Sequence, residues 1–431
     1  MVSFFCKSSQ CDHMRNQYEP GMSSGVCKGY SLRRGTGAVI LGGTCIVPPI
    51  ARNLETNGIK VCVLDSGICE ARFSRYVSRF LKCPPVEDEE AYVSYLVKIA
   101  ERKHLKGWVL FPSNDQYLRI VVRHGQLLSR YYVMTSPPWE IVSFLYDKRL
   151  TYSLAKETGI PFPETHRPEN LNELLALEID FPVILKPAVT YRLLSRTQNK
   201  AYCADNVQEL QNLYRSMCRI IGPADILVQE FIPEGAGALY SFAGYFKDGC
   251  PVAGLSAKRL RQYPVKIGKL STFVEVINNS ELEKLATRLL RHIGYTGLAE
   301  VEFMWNKKHA RFELLEVNAR FWAWHELAIA AGLDLPCIVF ADALEKEIPF
   351  GSLHDDIKLT HLLTDIYVAI QEMCLGKLTA RQYMASMFSK PVVAGFSLKD
   401  PLPFIAEAFF LVQRMLRKMA SGRDDRILGK G

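Results

Sequence analysis

The stretch AEVEFMW (residues 299–305), followed by RFELLEVNAR (residues 311–320), predicts a β-hairpin that carries a cluster of polar groups. Both runs alternate between polar and apolar residues, as half-buried strands do. The five residues between them, Asn306 to Ala310, favour a turn. Folding the hairpin about position 309 places Glu302 opposite Glu316.

One face of this hairpin is apolar and the other polar, because successive side chains on a strand point to opposite faces. The apolar face is formed by odd positions, namely Val301, Phe303, Leu315 and Val317. The polar face is formed by even positions, namely Glu302, Glu316, Asn318 and Arg320. Facing carboxylates destabilise a strand pair unless a cation lies between them, and carboxylate and amide oxygens suit Mg²⁺. We therefore favour a magnesium site over the plainer alternative, a solvent-exposed polar face.

Two lysines stand where an ammonium group could meet a phosphate. Lys186 ends the apolar strand within FPVILKP (residues 181–187), and Lys148 follows Asp147 at the start of a helix. Either lysine could equally extend into solvent from the end of its element, so neither is specific alone.

A third feature is ILVQEFIPEG (residues 226–235), which reads as a strand followed by a turn. Backbone groups at such a strand end can bond to the edge of an adenine, and Glu230 or Glu234 could accept hydrogen bonds from ribose hydroxyls. A plain strand and turn explains the pattern equally well.

The chain before these features has the pattern of a doubly wound α/β domain. A strand at Ala38–Leu41 runs into Gly42-Gly43, a helix begins near Pro48-Pro49, and a second strand ends at Asp65. Asp115, after the next strand, is expected to cap a helix. Residues 1–36 show no clear period and are expected to have little order.

The composition is that of a globular protein, with 431 residues, 48% hydrophobic, and a formal net charge of +8. The positive excess lies in residues 1–36 and 351–431 without a dense basic run, so we expect no nucleic-acid partner. No apolar run reaches the ~18–20 residues of a membrane span, and no export signal is evident, so we expect a cytoplasmic protein. The region 347–431 is expected to be helical, and its last helix either packs on the core or contacts a membrane surface.

Taken together, these residues resemble the ATP-grasp superfamily, in the carboxylate–amine ligase branch near carbamoyl-phosphate synthase large subunits and D-aspartate ligases. The resemblance implies an N-terminal α/β domain (37–146), a two-subdomain ATP-grasp domain (147–346) and a helical C-terminal region (347–431). It also implies roles for the singled-out residues: Lys148 and Lys186 on ATP phosphates, Gln229, Glu230, Phe231 and Ile232 at the adenine, Glu234 near the ribose, Glu302, Glu316 and Asn318 on Mg²⁺, and Arg320 on phosphate.

The implied activity is ATP-dependent ligation of a small-molecule carboxylate to an amine through an acyl phosphate. The cofactors are ATP and Mg²⁺, with Mn²⁺ as the alternative ion, and Lys258 or Arg261 would help Arg320 to stabilise the acyl phosphate. One departure is the segment 188–201 (AVTYRLLSRTQNKA), which contains no glycine where the family has a glycine-rich loop over the phosphates. Polar side chains of the segment could replace that cover, namely Arg192, Ser195, Arg196 and Lys200.

Two other hypotheses about the function remain open. The altered phosphate segment would suit a non-catalytic ATP-binding protein. A dinucleotide-dependent oxidoreductase is disfavoured because Gly35 and Gly37 precede the first strand, whereas the G-x-G-x-x-G motif should follow it. A homo-oligomer is compatible with the sequence, and the two substrates cannot be named from it.

Overall fold

The computed structural model describes residues 35–348 and 351–420. The predicted low-order extension therefore lies almost entirely outside the described residues. Three sheets organise the described part of the chain: five parallel strands, then four antiparallel strands, then a seven-stranded mixed sheet. Within those ranges no helix combines the length and apolar character required to cross a bilayer.

The first sheet has the strand order β3-β2-β1-β4-β5, the doubly wound arrangement expected from the strand–glycine–helix pattern. Its strands are β1 (Ala38–Leu41), β2 (Val61–Asp65), β3 (Arg79–Lys82), β4 (Val109–Pro112) and β5 (Val133–Met134). Its helices are α1 (Val47–Thr56), α2 (Glu89–Arg102), α3 (Asp115–Arg123), α4 (Gly125–Leu128) and α5 (Trp139–Tyr146). The three central strands β2, β1 and β4 are buried because helices cover both faces, whereas the edge strands β3 and β5 are partly exposed.

The glycine turn after β1 is explained by packing. Gly42 has φ +86°, and a Cβ there would lie 2.5 Å from the Ser113 Oγ. Asp65 accepts hydrogen bonds from the N–H groups of Gly43 and Gly67 at 2.8 and 2.9 Å. The Asp65 carboxylate, which a bound dinucleotide would need, is therefore already hydrogen-bonded within the turn itself.

The four-stranded sheet has the order β6-β9-β7-β8 and is antiparallel throughout. Its strands are β6 (Thr165–His166), β7 (Val183–Pro187), β8 (Tyr202–Ala204) and β9 (Ile226–Glu230). The associated helices are α6 (Lys148–Glu157), α7 (Leu171–Leu175), α8 (Thr190–Thr197) and α9 (Val207–Ile221). Helix α9 packs its apolar face on this sheet, so the unit has a core of its own.

The seven-stranded sheet has the order β14-β13-β10-β11-β12-β15-β16. Its strands are β10 (Leu239–Lys247), β11 (Cys250–Tyr263), β12 (Leu270–Ile277), β13 (Gly297–Asn306), β14 (Arg311–Asn318), β15 (Lys358–Thr360) and β16 (Val392–Val393). The accompanying helices are α10 (Ser280–His292), α11 (His325–Ala330), α12 (Leu335–Ala343), α13 (Leu362–Cys374), α14 (Ala380–Phe388) and α15 (Leu402–Ala420). The C-terminal region is mainly helical, as predicted, but it also adds β15 and β16 to this sheet.

The two faces of the seven-stranded sheet have different partners. One face shares a continuous apolar cluster with the N-terminal sheet through α11 and α12. The other face packs against α5, α6 and α10. Helix α15 contacts the N-terminal domain, where the ring centres of Phe410 and Phe73 lie 6.3 Å apart. Just before this helix, the Asp400 carboxylate accepts a hydrogen bond from the Ser74 hydroxyl. The opposite side of α15 is apolar and exposed, and membrane contact there remains a prediction.

Candidate active site

A cleft of about 840 Å³, counting the space open to solvent, lies between the four-stranded and seven-stranded sheets. Its walls combine positive, negative and apolar groups. The four-stranded side contributes Ile184, Lys186, Lys200 and residues 229–232, and helix α6 contributes Lys148. The seven-stranded side contributes Leu239, Arg259, Glu302, Met304, Leu315 and Glu316. The cleft therefore brings together residues from widely separated parts of the chain.

The hairpin register agrees with the sequence-based expectation at the two acids. Glu302 pairs directly with Glu316, and a bulge follows between Glu302 and Phe303. The bulge corrects one prediction, since Leu315 lines the cleft instead of joining the buried apolar face. An extra residue in one strand re-aims the side chains beside it, and simple alternation cannot reveal that.

Glu302 is nearly buried and already has two partners. Arg259 donates to it at 3.2 Å and the Asn318 amide nitrogen at 2.8 Å. The neighbouring acid Glu300 was not singled out from the sequence. It accepts hydrogen bonds from the Asn318 side-chain nitrogen at 3.0 Å and from the Trp324 indole N–H at 2.7 Å. Burial, reinforced by the charge of Glu302, raises the pKa of Glu300 to about 8. Its even position, two residues before Glu302, was the available signal.

Glu316 is held between two ammonium groups. Lys148 lies 3.2 Å from one carboxylate oxygen, and Lys200 bonds to the other. Burial opposes ionisation here, but Lys200 and then Lys148 outweigh it and hold the Glu316 pKa well below its usual range. Lys148 also donates to the Thr190 hydroxyl at 2.7 Å. The predicted lysine and the predicted acid therefore meet directly.

Lys186 is buried at the end of β7 and bonds only to neutral groups among its recorded partners in the described residues. It donates to the Tyr152 hydroxyl at 2.5 Å and to the side-chain amide oxygen of Gln229, Oε1, at 2.6 Å. Gln229 is fixed in turn by donating to the Thr165 hydroxyl at 2.6 Å. Burial lowers the pKa of Lys186 to about 7, although Glu316 partly opposes the shift. No anion is among the hydrogen-bond partners of Lys186 in the described residues.

The strand end after Gln229 forms the apolar end of the cleft. Glu230, Phe231 and Ile232 all line it. The N–H groups of Glu230 and Phe231 bond to the Glu164 and Pro182 carbonyls, whereas that of Ile232 donates to no other described residue. Glu234 is not among the lining residues, and its Oε2 is buried without a hydrogen-bond partner in the described part of the chain.

Arg320 makes a bidentate ion pair with Asp115, which starts helix α3 of the N-terminal domain. The two contacts measure 2.8 and 3.0 Å, and a further bond of 3.1 Å reaches the side-chain amide oxygen of Asn318, Oδ1. Asn114, rather than Asp115 as expected, caps α3 by accepting from the N–H groups of Gln116 and Tyr117. The side chain of Asp115 is therefore available to anchor Arg320.

Lys258 is a second correction. Residues paired across antiparallel strands share a face, and Lys258 is paired with Tyr240 and Glu275 on the face opposite Glu302. Its ammonium lies 5.4 Å from the Tyr240 ring centre. The cation that β11 directs into the cleft is Arg259. Arg261 is buried against Asp365 through bonds of 2.7 and 2.9 Å, which assigns it to packing of the C-terminal region.

The glycine-free segment 188–201 was expected to be a loop, but most of it is helical. Residues Thr190–Thr197 form α8, and two of the predicted phosphate-covering side chains turn away from the cleft. Arg192 pairs with Asp225, and Arg196 donates to the Ile220 carbonyl. Lys200, just beyond the helix, lines the cleft.

Two of the three predicted metal ligands, Glu302 and Glu316, fit a hard divalent cation. Glu302 and Glu316 face each other, and each is now neutralised by basic side chains of the chain itself. Asn318 fits less simply, because its amide oxygen bonds to Arg320 and its nitrogen faces the two acids. Metal binding by Asn318 would require that amide to turn.

Comparison with known proteins finds a similar ATP-binding domain and similar ligases. Residues 271–346 match the family model described as carbamoyl-phosphate synthase L chain, ATP binding domain. The D-aspartate ligase of Enterococcus faecium is 22% identical over 319 residues, which cover 70% of this chain and 76% of that enzyme.

Solved structures share the fold over most of the chain. The L-amino acid ligase from Bacillus licheniformis superposes with a TM-score of 0.58 at 18% identity, covering 74% of this chain and 76% of the ligase. Biotin carboxylase from Campylobacter jejuni superposes with a TM-score of 0.59 at 16% identity, covering 74% of each chain. The chain therefore shares the ATP-grasp fold of these structures over 74% of its length and is similar in sequence to a D-aspartate ligase.

Proposed function

We propose that this protein joins a small-molecule carboxylate to an amine in an ATP-dependent ligation. The observation that carries the proposal is the cleft itself, in which facing acids from β13 and β14 lie opposite Lys148 and Lys186. Acids that bind a divalent cation and lysines that bind phosphates are the two parts that phosphoryl transfer needs. The similarity to D-aspartate and L-amino acid ligases favours amino acids as the first substrates to test.

ATP would lie along the cleft with its adenine at the apolar end. Phe231 and Ile232 supply contact area there, and the Ile232 N–H is available for the base edge. Glu234 is assigned to the ribose because its Oε2 has no hydrogen-bond partner in the described residues. The backbone around Glu234 would shift to bring this oxygen to the ribose. Lys148 and Lys186 then stand at the phosphates, where Lys186 gains an anionic partner that the described residues do not provide in direct contact.

Glu302 and Glu316 are the residues proposed to hold Mg²⁺, with Mn²⁺ as an alternative of the same ligand preference. When bound, the ion would offset the negative charge that develops on the phosphates. Asn318 is proposed as a third ligand after its amide turns. Glu300 lies beside this pair as a buried acid with a raised pKa and is not assigned to the metal.

The chemical steps require positioning more than acid–base chemistry. An oxygen of the substrate carboxylate attacks the γ-phosphorus, the bond to the bridging oxygen breaks, and ADP leaves. The amine nitrogen then attacks the acyl carbon of the acyl phosphate, the C–O bond breaks, and phosphate departs as the amine loses a proton. Arg320, oriented by Asp115, is proposed to bind the transferring phosphate, and Arg259 replaces Lys258 as the second cleft cation.

The test is an ADP-release screen over pairs of amino acids, with the Glu316→Ala variant as the blank. The expected result is ADP and phosphate release that requires both an acid and an amine and is absent from the variant. Tight binding of Mg-ATP with no ADP from any pair would favour the non-catalytic alternative. Equal release by the wild type and the variant would remove the assigned site.

A further inference from the structure

Lys200 forms an ion pair across the cleft. It follows α8 on the four-stranded side, and its ammonium bonds to Glu316 on the hairpin, 116 positions away in sequence. The pair is largely shielded, with 26% of the Lys200 side chain and 12% of the Glu316 side chain exposed. The glycine-free segment therefore delivers one long cation to the acids where a glycine-rich loop would supply backbone N–H groups.

The position that Lys200 takes is the one that a metal ion needs. One oxygen of Glu316 bonds to Lys200 and the other lies 3.2 Å from Lys148. A divalent cation can reach Glu316 only if one of these ammonium groups withdraws, because like charges repel strongly in a shielded site. Lys148 is further anchored by the Thr190 hydroxyl, at 2.7 Å. Lys200 has no second recorded hydrogen-bond partner in the described residues, so it is the group that can leave.

We propose that Lys200 exchanges partners during nucleotide binding, leaving Glu316 to the metal and moving onto the terminal phosphate. This inference rests on the proposed function of the same cleft. The other basic side chains of the segment do not compete for the task, since Arg192 and Arg196 are held by Asp225 and the Ile220 carbonyl. A charge-assisted bond to phosphate replaces the charge-assisted bond that Lys200 gives up.

The exchange has two consequences of opposite sign. Without the Lys200 ammonium, Glu316 is freed, so the nucleotide-free protein binds a divalent cation more tightly. Without the same group, the terminal phosphate loses a contact, so the preference for a triphosphate over a diphosphate decreases. A lysine that merely ties the two sides of the cleft together would not produce this pair of effects.

The experiment uses calorimetric titration of the full chain with Mn²⁺ alone, and with Mg-AMP-PNP and Mg-ADP separately. For Lys200→Met we expect Mn²⁺ affinity to rise about tenfold and the AMP-PNP to ADP affinity ratio to fall about tenfold, each corresponding to ~1.4 kcal/mol. Lys200→Arg should restore most of the ratio. The matched control is Lys358→Met, which removes a half-buried lysine paired with Glu275 at 3.2 Å outside the cleft.

Unchanged or weaker Mn²⁺ binding by Lys200→Met overturns the exchange. An equal loss of AMP-PNP and ADP affinity also overturns it and leaves Lys200 with a structural role. These outcomes leave the proposed function standing as long as the wild type binds nucleotide. A wild type that binds neither nucleotide overturns both proposals, and its melting temperature excludes misfolding as the cause.

Discussion

The two walls of the cleft follow different rules. On the hairpin wall, the facing acids Glu302 and Glu316 are placed by strand register, which the alternation of the sequence already indicates. On the opposite wall, the glycine-free segment forms a helix and sends Lys200 across to Glu316. The comparison teaches that strand register alone places the acids proposed to bind the metal, whereas the side chain proposed to cover the phosphates reaches the cleft from beyond the end of a helix.

The largest expected effect comes from breaking the hairpin wall. Glu316→Ala should lower ADP release by roughly 10³-fold or more, because the variant lacks a carboxylate proposed to hold the ion that offsets charge at the phosphates. Stability should also fall, because Lys148 and Lys200 are shielded and lose the carboxylate that they share. The measurement is ADP release together with the melting temperature. Glu275→Ala, on the other face of the same sheet, is the control, and full turnover by Glu316→Ala would contradict the metal assignment.

A second experiment separates the two faces of β11. Arg259→Met should lower kcat by about 10²-fold, the order found when one preorganised charge donor is removed. Lys258→Met should stay within about threefold of the wild type, because its side chain lies over Tyr240 on the opposite face. Steady-state kinetics of both variants decide the matter, and a larger loss for Lys258→Met would reverse the assignment made from the register.

A third experiment concerns the lysine wall and pH. The Lys186 pKa is lowered by burial to about 7 in the folded protein, whereas an unfolded lysine titrates near 10.5. Between these values the unfolded chain binds more protons, so this group makes stability rise with pH from about 7 upward. The wild type should therefore gain on the order of 1–2 kcal/mol over Lys186→Met between pH 7 and 9. Urea unfolding at the two pH values measures this, and parallel curves would refute it.

The smallest expected effect is on the far side of α8. Arg192→Ala should leave the KM for ATP within about twofold, because its guanidinium pairs with Asp225 away from the cleft. A loss of ATP affinity approaching that of Lys200→Met would show that α8 rotates when nucleotide binds. The two walls of the cleft would then differ less than the present structure indicates.

Much of the site was predictable because it depends on local periodicity. The pairing of Glu302 with Glu316 and the start of α6 at Lys148 both follow from spacing or capping signals. Glu300 was overlooked although its even position marked it. The face of Lys258 was misassigned because four consecutive residues, KRLR (258–261), give no sign of which basic side chain meets the cleft, and irregular pairing of β11 with β12 disturbs the alternation further.

The linear pattern of residues was sufficient for the hairpin, the glycine turn and the doubly wound order of the first sheet, because each depends on neighbours within a few positions or on strand alternation. Contacts between distant segments required the folded chain. Asp115 meets Arg320 across 205 positions, and Lys200 meets Glu316 across 116. Such pairs depend on how the sheets pack against one another. That packing is driven by burial of apolar surface, which is non-directional and therefore does not specify from the sequence which distant residues meet.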